Sequence, residues 1–286
     1  PFVEGDVRNT DLVIDVLKRH KIDAVIHFAG VKAVAESLQN PTNYYDVNVG
    51  GTISLIRAME LVGVSKFIFS SSATVYGEGA NVPYIESMGR GNYTSPYGCS
   101  KGVVEKILED KCRSKPDWEV SILRYFNPIG AHKSGLIGEN PTGTPNNLMP
   151  FITQVAVGIR DELSVFGGDY NTPDGTCRRD YIHVVDLASG HVRALQKVKK
   201  GCHTYNLGTG KPVSVFEMIS CFEFVTGISI QFKVVDRRLG DLPEFWADNN
   251  KARKYLKWKP KFTLKDMVAD SWRWQKLNPC GFEGQS

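Results

Sequence analysis

The run Lys66-Phe67-Ile68-Phe69-Ser70-Ser71-Ser72 constrains this chain more than any other stretch. A short, unalternating apolar run of aromatic and β-branched residues suits a strand buried on both faces, and such strands belong to parallel sheets. The hydroxyls that follow fall at the strand's carboxyl end, where open α/β sheets bind ligands. A second stretch, Ser95-Pro96-Tyr97-Gly98-Cys99-Ser100-Lys101, opens a helix: Ser95 suits the N-cap, Pro96 the first helical position, and Val103, Val104, Ile107 and Leu108 form the apolar stripe. Tyr97 and Lys101 then stand one turn apart on one face. A tyrosine hydroxyl, with a reference pKa near ~10, is a poor base at neutral pH, and a neighbouring ammonium lowers that pKa by favouring the phenolate. A serine hydroxyl such as that of Ser72 can share the hydrogen bond of a substrate alcohol. A bare YxxxK spacing also describes an ordinary surface pair. The strand ending in three serines, and glycines at 98 and 102 that permit close backbone approach, weigh against that reading.

With 286 residues the chain has room for roughly two domains. A formal net charge of +4 without a basic run gives no reason to expect nucleic acid or a membrane surface as partner. No apolar run approaches the ~18 residues of a membrane span, and no signal peptide opens the sequence. The cysteines at 99, 112, 177, 202, 221 and 280 show neither a CxxC pair nor a histidine at zinc-like spacing. They read as scattered reduced thiols of a cytoplasmic protein, with no metal site.

Along the chain, residues 1–7 read as a short strand with Asp6 near its end, and residues 11–20 as a helix with apolar positions at 12, 13, 16 and 17. Residues 23–30 read as a buried strand closing on a glycine turn, with His27 a core histidine. Tyr44 to Gly63 has the pattern of one long helix, in which Asn48 either reaches the site or ties neighbouring backbone together. Val120 to Asn127 is another buried-strand pattern with an aromatic and an amide at the ligand edge. From Pro128 to Pro150 glycine and proline become frequent, which places a domain boundary near 128, giving 1–128 and 129–286. Asp180 and Asp186 read as structural turn and helix partners, and Trp272 and Trp274 as packing residues.

FSSSATVYG, SPYGCSK and LRYFNPIGAH, with FAGVKAV, PNNLMPF, VFGGDY, RDYIHVVDLA and YNLGTG, closely resemble the UDP-glucose 4-epimerase family, a branch of the extended short-chain dehydrogenases/reductases. The resemblance runs over nearly the whole chain. It implies an α/β fold: a Rossmann-like, doubly wound parallel sheet for NAD, N-terminally incomplete, and a smaller α/β domain for a UDP-sugar. No GxxGxxG turn precedes the first strand, so the family's first βαβα segment is expected to be missing. The resemblance further implies that Ser72, Tyr97 and Lys101 are catalytic, and that Asp6 and Val7 meet the cofactor's adenine. Phe28, Ala29, Gly30, Val31 and Lys32 would line the cofactor, and Phe126 would neighbour its nicotinamide. Substrate contacts would come from Asn127, Asn147, Leu148, Ser164, Val165, Phe166, Arg179, Arg238 and Asp241. Arg178, where the family usually has a small apolar residue, reads as a solvated cation. Phe245 falls where a large residue would exclude N-acetylated sugars. The implied reaction interconverts UDP-glucose and UDP-galactose through a 4-keto sugar, in a homodimer built on the helices at 44–63 and 96 onward. Two alternatives stand beside it. A nucleotide-sugar 4,6-dehydratase shares the oxidation step but needs an acidic pair that Ser72-Ala73-Thr74 does not contain. A non-catalytic remnant would bind UDP-sugar or only dimerise.

Overall fold

A computed structural model describes residues 1–79, 81–141, 143–238 and 240–282. Residues 1–9 carry no strand; exposed except for half-buried Val7, they run into α1 (Thr10–Arg19), which Asn9 caps by accepting from the Leu12 amide at 3.1 Å. The strand expected at 1–7 is therefore absent. A strand exists only where a neighbour offers a ladder, and among the described residues β1 (Ala24–His27) is the edge of its sheet, paired to β2 alone. Short α2 (Val34–Gln39) and α3 (Pro41–Tyr44) lead into α4 (Gly51–Val62), which ends on Gly63 in the left-handed conformation. The single helix expected over 44–63 is interrupted by a wide π turn at Tyr45–Gly50. That turn carries the buried Asn48 out of the regular stripe, and such turns recur at functional sites.

β2 (Lys66–Ser72), α5 (Pro96–Ser114) and β3 (Glu119–Tyr125) follow. β4 (Asn127–Ile129), α6 (Leu148–Ala156), β5 (Leu163–Phe166), β6 (Arg178–His183), α7 (Val184–Lys197) and β7 (Gly201–Leu207) come next. The chain closes through β8 (Pro212–Ser214), α8 (Val215–Thr226), β9 (Phe232–Val235), β10 (Glu244–Phe245), α9 (Asn250–Leu256) and α10 (Leu264–Leu277). The first sheet, β1-β2-β3-β7, is parallel throughout, with Lys66 opposite Glu119 and Ser72 opposite Tyr125. β10-β6-β4 form a second sheet with β8 antiparallel on β6, and β5 and β9 pair by themselves. Tyr125 thus ends one sheet and Asn127 begins another. The reading of Asn127 as the tip of the preceding strand is corrected by its pairing with Tyr181 on β6.

The apolar run of β2 is buried on both faces because helices cover both. Phe67 and Phe69 pack with Leu55, Met59, Val104 and Leu108 under α4 and α5, while Ile68 packs with Leu123, Leu187, Ala194 and Leu207 under α7. Each such side chain contributes about 1.5–3 kcal/mol by leaving water. The alternation continues into the serines: Ser71 donates to Glu105 on α5, and Ser70 meets His191 on α7. A further core gathers Met149, Ile152, Val165, Met218 and Phe222 against Met267 of α10. Trp272 packs on that core and Trp274 is buried, donating to the Glu139 carbonyl at 3.1 Å. A small aromatic group of Tyr76, Tyr84 and Phe126, with Phe245 of β10 beside it, lies at the β10 edge of the second sheet. No helix among the described residues is long and apolar enough to cross a membrane.

Candidate active site

Ser95 caps α5 by accepting from the Gly98 amide at 3.2 Å, with Pro96 in the first turn. Its first two turns carry Tyr97 and Lys101, both buried, against the carboxyl end of β2. Lys101 donates to the Ser70 carbonyl at 3.0 Å and lies over the Phe69 ring at 5.0 Å. The Ser72 hydroxyl accepts from the Thr74 amide (3.2 Å) and faces the Thr74 hydroxyl at 3.0 Å. Burial pushes the Tyr97 phenol up, and a hydrogen bond with Ser72 acts against that. Lys101 is pushed down to about 8 by burial. The expected depression of the phenol by Lys101 is thus not the dominant effect here: removal from water is, and the ammonium is directed at the β2 carbonyl.

The loop after β1 comes to the same place. Gly30 has φ +154°, and a Cβ there would lie 2.7 Å from Asn48 Oδ1 and 3.9 Å from Lys101 Nζ, so only glycine lets the loop sit this close. Asn48 accepts from the Val31 amide at 2.8 Å and donates to the Val31 carbonyl at 3.0 Å and to Ser100 at 2.9 Å. Its buried amide ties backbone together, the second of the two readings of that residue. Phe28 is 59% exposed and packs at a tilt against His191, 4.7 Å between ring centres; Ala29, Gly30 and Lys32 are exposed and Val31 half-buried. His27, by contrast, is a core residue, bonded to Thr52 at 2.9 Å and pushed down to about 3 by burial. Asp6 and Val7 lie elsewhere, beyond the π turn: Arg8 binds Asp6 at 2.6 Å and Asp46 at 2.5 Å, and Val7 packs over Gly51.

Of the residues expected to meet substrate, Arg179, Arg238, Asp241 and Phe166 form a second group. Arg179 donates to the Leu242 carbonyl at 2.7 Å and lies 3.5 Å from Asp241. Arg238 meets the same carboxylate at 2.9 and 3.1 Å and lies over Phe166, 5.6 Å from its centre. Two guanidinium groups and an aromatic ring are therefore gathered around Asp241. On β5, Val165 is buried and Ser164 half-buried. Asn147 donates to Glu139 at 2.9 Å just before α6, and Leu148 begins that helix and packs on its core. Phe245 links the two groups: it lies 5.1 Å from both Tyr84 and Phe126, and its β10 position is opposite Arg179. Arg178 is not a solvated cation. The same register sets Glu244 opposite it, giving a cross-strand ion pair at 2.8 Å. Asp180 and Asp186 are structural: Asp180 accepts from the amides of Thr209, Gly210 and Ala247, and Asp186 from those of Lys261 and Phe262.

Two features escaped the sequence reading. Tyr84, in a loop without periodicity, stacks on Tyr76 at 4.9 Å and left no pattern to detect. Glu105 and Arg124 form a buried ion pair two turns along α5 from Tyr97, Arg124 Nη2 to Glu105 Oε2 at 2.6 Å. Here a signal existed, because an arginine inside an apolar strand demands a buried partner. Among the described residues no cluster of acidic, histidine or cysteine side chains could hold a metal, and all six cysteines are free.

The model of the NAD dependent epimerase/dehydratase family matches residues 1–208. The UDP-glucose 4-epimerase of Neisseria meningitidis serogroup C is 52% identical over 285 residues, 99% of this chain and 84% of that protein. That of Yersinia enterocolitica is 53% identical over 281 residues, 98% of this chain and 84% of that protein. Among solved structures, UDP-glucose 4-epimerase from Bifidobacterium longum in complex with NAD+ and UDP superposes with a TM-score of 0.94 at 49% identity, covering 98% of this chain and 84% of that one. A parallel sheet with serine, tyrosine and lysine at its carboxyl edge, and relatives of this similarity over nearly the whole chain, lead to one assignment: the chain belongs to the NAD-dependent epimerase/dehydratase family, among the UDP-glucose 4-epimerases.

Proposed function

We propose that the chain is an NAD-dependent isomerase that interconverts UDP-glucose and UDP-galactose at sugar C4 through a 4-keto intermediate. The observation that carries this reading is the convergence of Ser72, Tyr97, Lys101 and the Cβ-free Gly30 on one sheet edge. These residues fit the nicotinamide end of the cofactor: Phe28 offers an exposed ring, Gly30 an approachable backbone, Phe126 a second ring, and Lys101 a cationic donor for ribose hydroxyls. Bound NAD+ supplies the acceptor and then the donor of the C4 hydride, and a fixed positive charge beside the phenol.

Tyr97, as the phenolate favoured by the positive charges of Lys101 and bound NAD+, takes the proton of the 4-hydroxyl and later returns it, while Ser72 holds the same oxygen by a hydrogen bond. Lys101, fixed to the Ser70 carbonyl, keeps its charge beside the reacting edge. Arg179, Arg238, Asp241, Phe166, Asn147 and Leu148 grip the UDP portion, with guanidinium forks suited to the diphosphate. Anchoring the sugar through its remote nucleotide leaves the hexose free to turn between oxidation and reduction, so binding energy comes from the part that does not react. Asn127, Ser164 and Val165 complete that lining, and Asp6 and Val7 lie toward the adenine. In this reading residues 1–128 carry the cofactor, 129–286 the UDP-sugar, and β7 returns to the first sheet. The chain works as a homodimer in the cytoplasm through the outer faces of α4 and α5, which a sedimentation mass twice that of the monomer would support.

The decisive variant is Tyr97→Phe. With NAD content and KM for UDP-glucose unchanged within a few-fold, kcat should fall by roughly 10²–10⁴. Turnover at the unaltered rate would remove Tyr97 from the base role.

A further inference from the structure

Residues 97, 101 and 105 recur at intervals of four, so Tyr97, Lys101 and Glu105 form one stripe along α5. The first two face the reacting edge; the third is fully buried one turn further on. Its Oε1 accepts from the Ser71 hydroxyl at 2.6 Å and from Arg124 Nε at 2.9 Å, and its Oε2 from Arg124 Nη2 at 2.6 Å. Glu105 therefore joins α5 to β2 through the residue beside Ser72 and to β3 through Arg124. The same arginine donates to the Gly89 carbonyl at 3.2 Å, lies over the Tyr76 ring at 4.7 Å, and so also reaches the segment that leads to the cap of α5. Arg90 completes the set, holding Glu109 at 2.7 and 3.0 Å and lying 3.6 Å from Glu105.

We propose that Glu105 is a positioning residue for the reaction: by clamping α5 to Ser71 and Arg124 it sets the height of the Tyr97 hydroxyl against Ser72. Nearer the site α5 also touches β2 through Lys101 and the Ser70 carbonyl, by a long flexible side chain, whereas beyond it Val104 and Leu108 pack on the sheet by apolar contact, which has no preferred direction along the helix axis. A bidentate carboxylate–guanidinium fork with a third, short hydroxyl bond is directional and tolerates little sliding. A misplacement of about 1 Å between base and substrate can cost about 100-fold in rate. A buried pair of this kind is weak evidence for stability in itself; its bonds to the residue beside Ser72 and to β3, from the helix that carries Tyr97, fit a positioning role instead. The inference rests on Tyr97 acting as proposed above.

Glu105→Ala would leave Arg124 buried without a counter-charge and is a poor test, since it endangers folding. Glu105→Asp keeps the charge but withdraws the acceptor by one methylene. Ser71→Ala removes the β2 anchor and leaves the Glu105–Arg124 pair. Both are to be compared with wild type as NAD-loaded enzyme, by kcat and KM for UDP-glucose and by crystal structures. Glu105→Asp should lower kcat by roughly 10–100-fold with KM within twofold and full NAD content, and its Tyr97 hydroxyl should be displaced from Ser72. Ser71→Ala should do the same to a smaller degree, and Ser71→Thr, which restores the hydroxyl, should recover most of the loss. An unmoved Tyr97 in crystals of Glu105→Asp, or kcat, KM and NAD content falling together, would overturn the proposal. Wild-type turnover separates the two readings: a chain inactive on UDP-glucose fails the assigned reaction, whereas the Tyr97 displacement judges the clamp by itself.

Discussion

Lys101 is held in a place that costs stability. Its ammonium is buried with the Ser70 carbonyl at 3.0 Å and the Phe69 face at 5.0 Å, and burial lowers its pKa from 10.5 to about 8. The folded chain therefore holds this proton less tightly than the unfolded chain. The resulting penalty is present in full below pH 8 and disappears as pH rises through the interval from about 8 to 10.5. Lys101→Met keeps the length without the charge. It should raise the unfolding free energy at pH 7 by about 2 kcal/mol, after allowing for the lost hydrogen bond to Ser70. The advantage should shrink when calorimetry is repeated near pH 10, while turnover is lost at both. A variant less stable than wild type at pH 7 would mean that the Ser70 and Phe69 contacts outweigh desolvation. Arg178 makes the complementary point: its 2.8 Å pair with Glu244 arises from strand register, which residue type alone does not reveal.

At the scale of elements, α5 is the piece that sequence describes best. Ser95, Pro96 and the Val104–Leu108 stripe state its start and its buried face, and the structure has the helix at Pro96–Ser114. Its glycines carry information too. A Cβ on Gly102 would lie 2.1 Å from the Tyr93 hydroxyl and 2.5 Å from the ring carbon that bears it. Gly102→Ala should consequently destabilise the protein by about 1–2 kcal/mol, overpacking outweighing the gain in helix propensity, which denaturant midpoints will measure. A stabilised variant would show that Tyr93 moves aside freely. β2 was legible because an apolar run ending in serines has few other uses. Residues 1–7 were not, since a strand depends on a neighbour that its own side chains do not name. The π turn at Tyr45–Gly50 is not legible because the apolar positions 53, 56 and 59 that mark the helix all lie beyond it. Glu105 itself carries no such mark: Arg124 calls for a partner, but the pair joins residues 19 apart on different elements.

For the whole molecule, the proposed reaction requires that the residues assigned to the nucleotide and those assigned to redox chemistry be held at one spacing. Phe245 stands between them, 5.1 Å from Phe126 on one side and paired in register with Arg179 on the other. On the proposed placement of the substrate, a ring here would narrow the space for a substituent on the hexose. The chain should therefore use UDP-N-acetylglucosamine far less well than UDP-glucose, and Phe245→Ala should raise kcat/KM for the acetylated sugar by roughly 10-fold, a size expected for steric discrimination in an apolar pocket. Equal kcat/KM for both sugars in the wild type would remove Phe245 as the gate. This arrangement was only partly readable beforehand: the motifs named the residues, but the convergence of Arg179, Arg238 and Phe166 on Asp241 depends on loops that carry no periodic signal. The central claim is that hydrogen leaves sugar C4 and returns to the same carbon without passing through water. The direct measurement is mass analysis of UDP-galactose formed from UDP-glucose deuterated at C4 in ordinary water. Full retention of deuterium in the product sugar is predicted, and its loss to solvent would contradict the account.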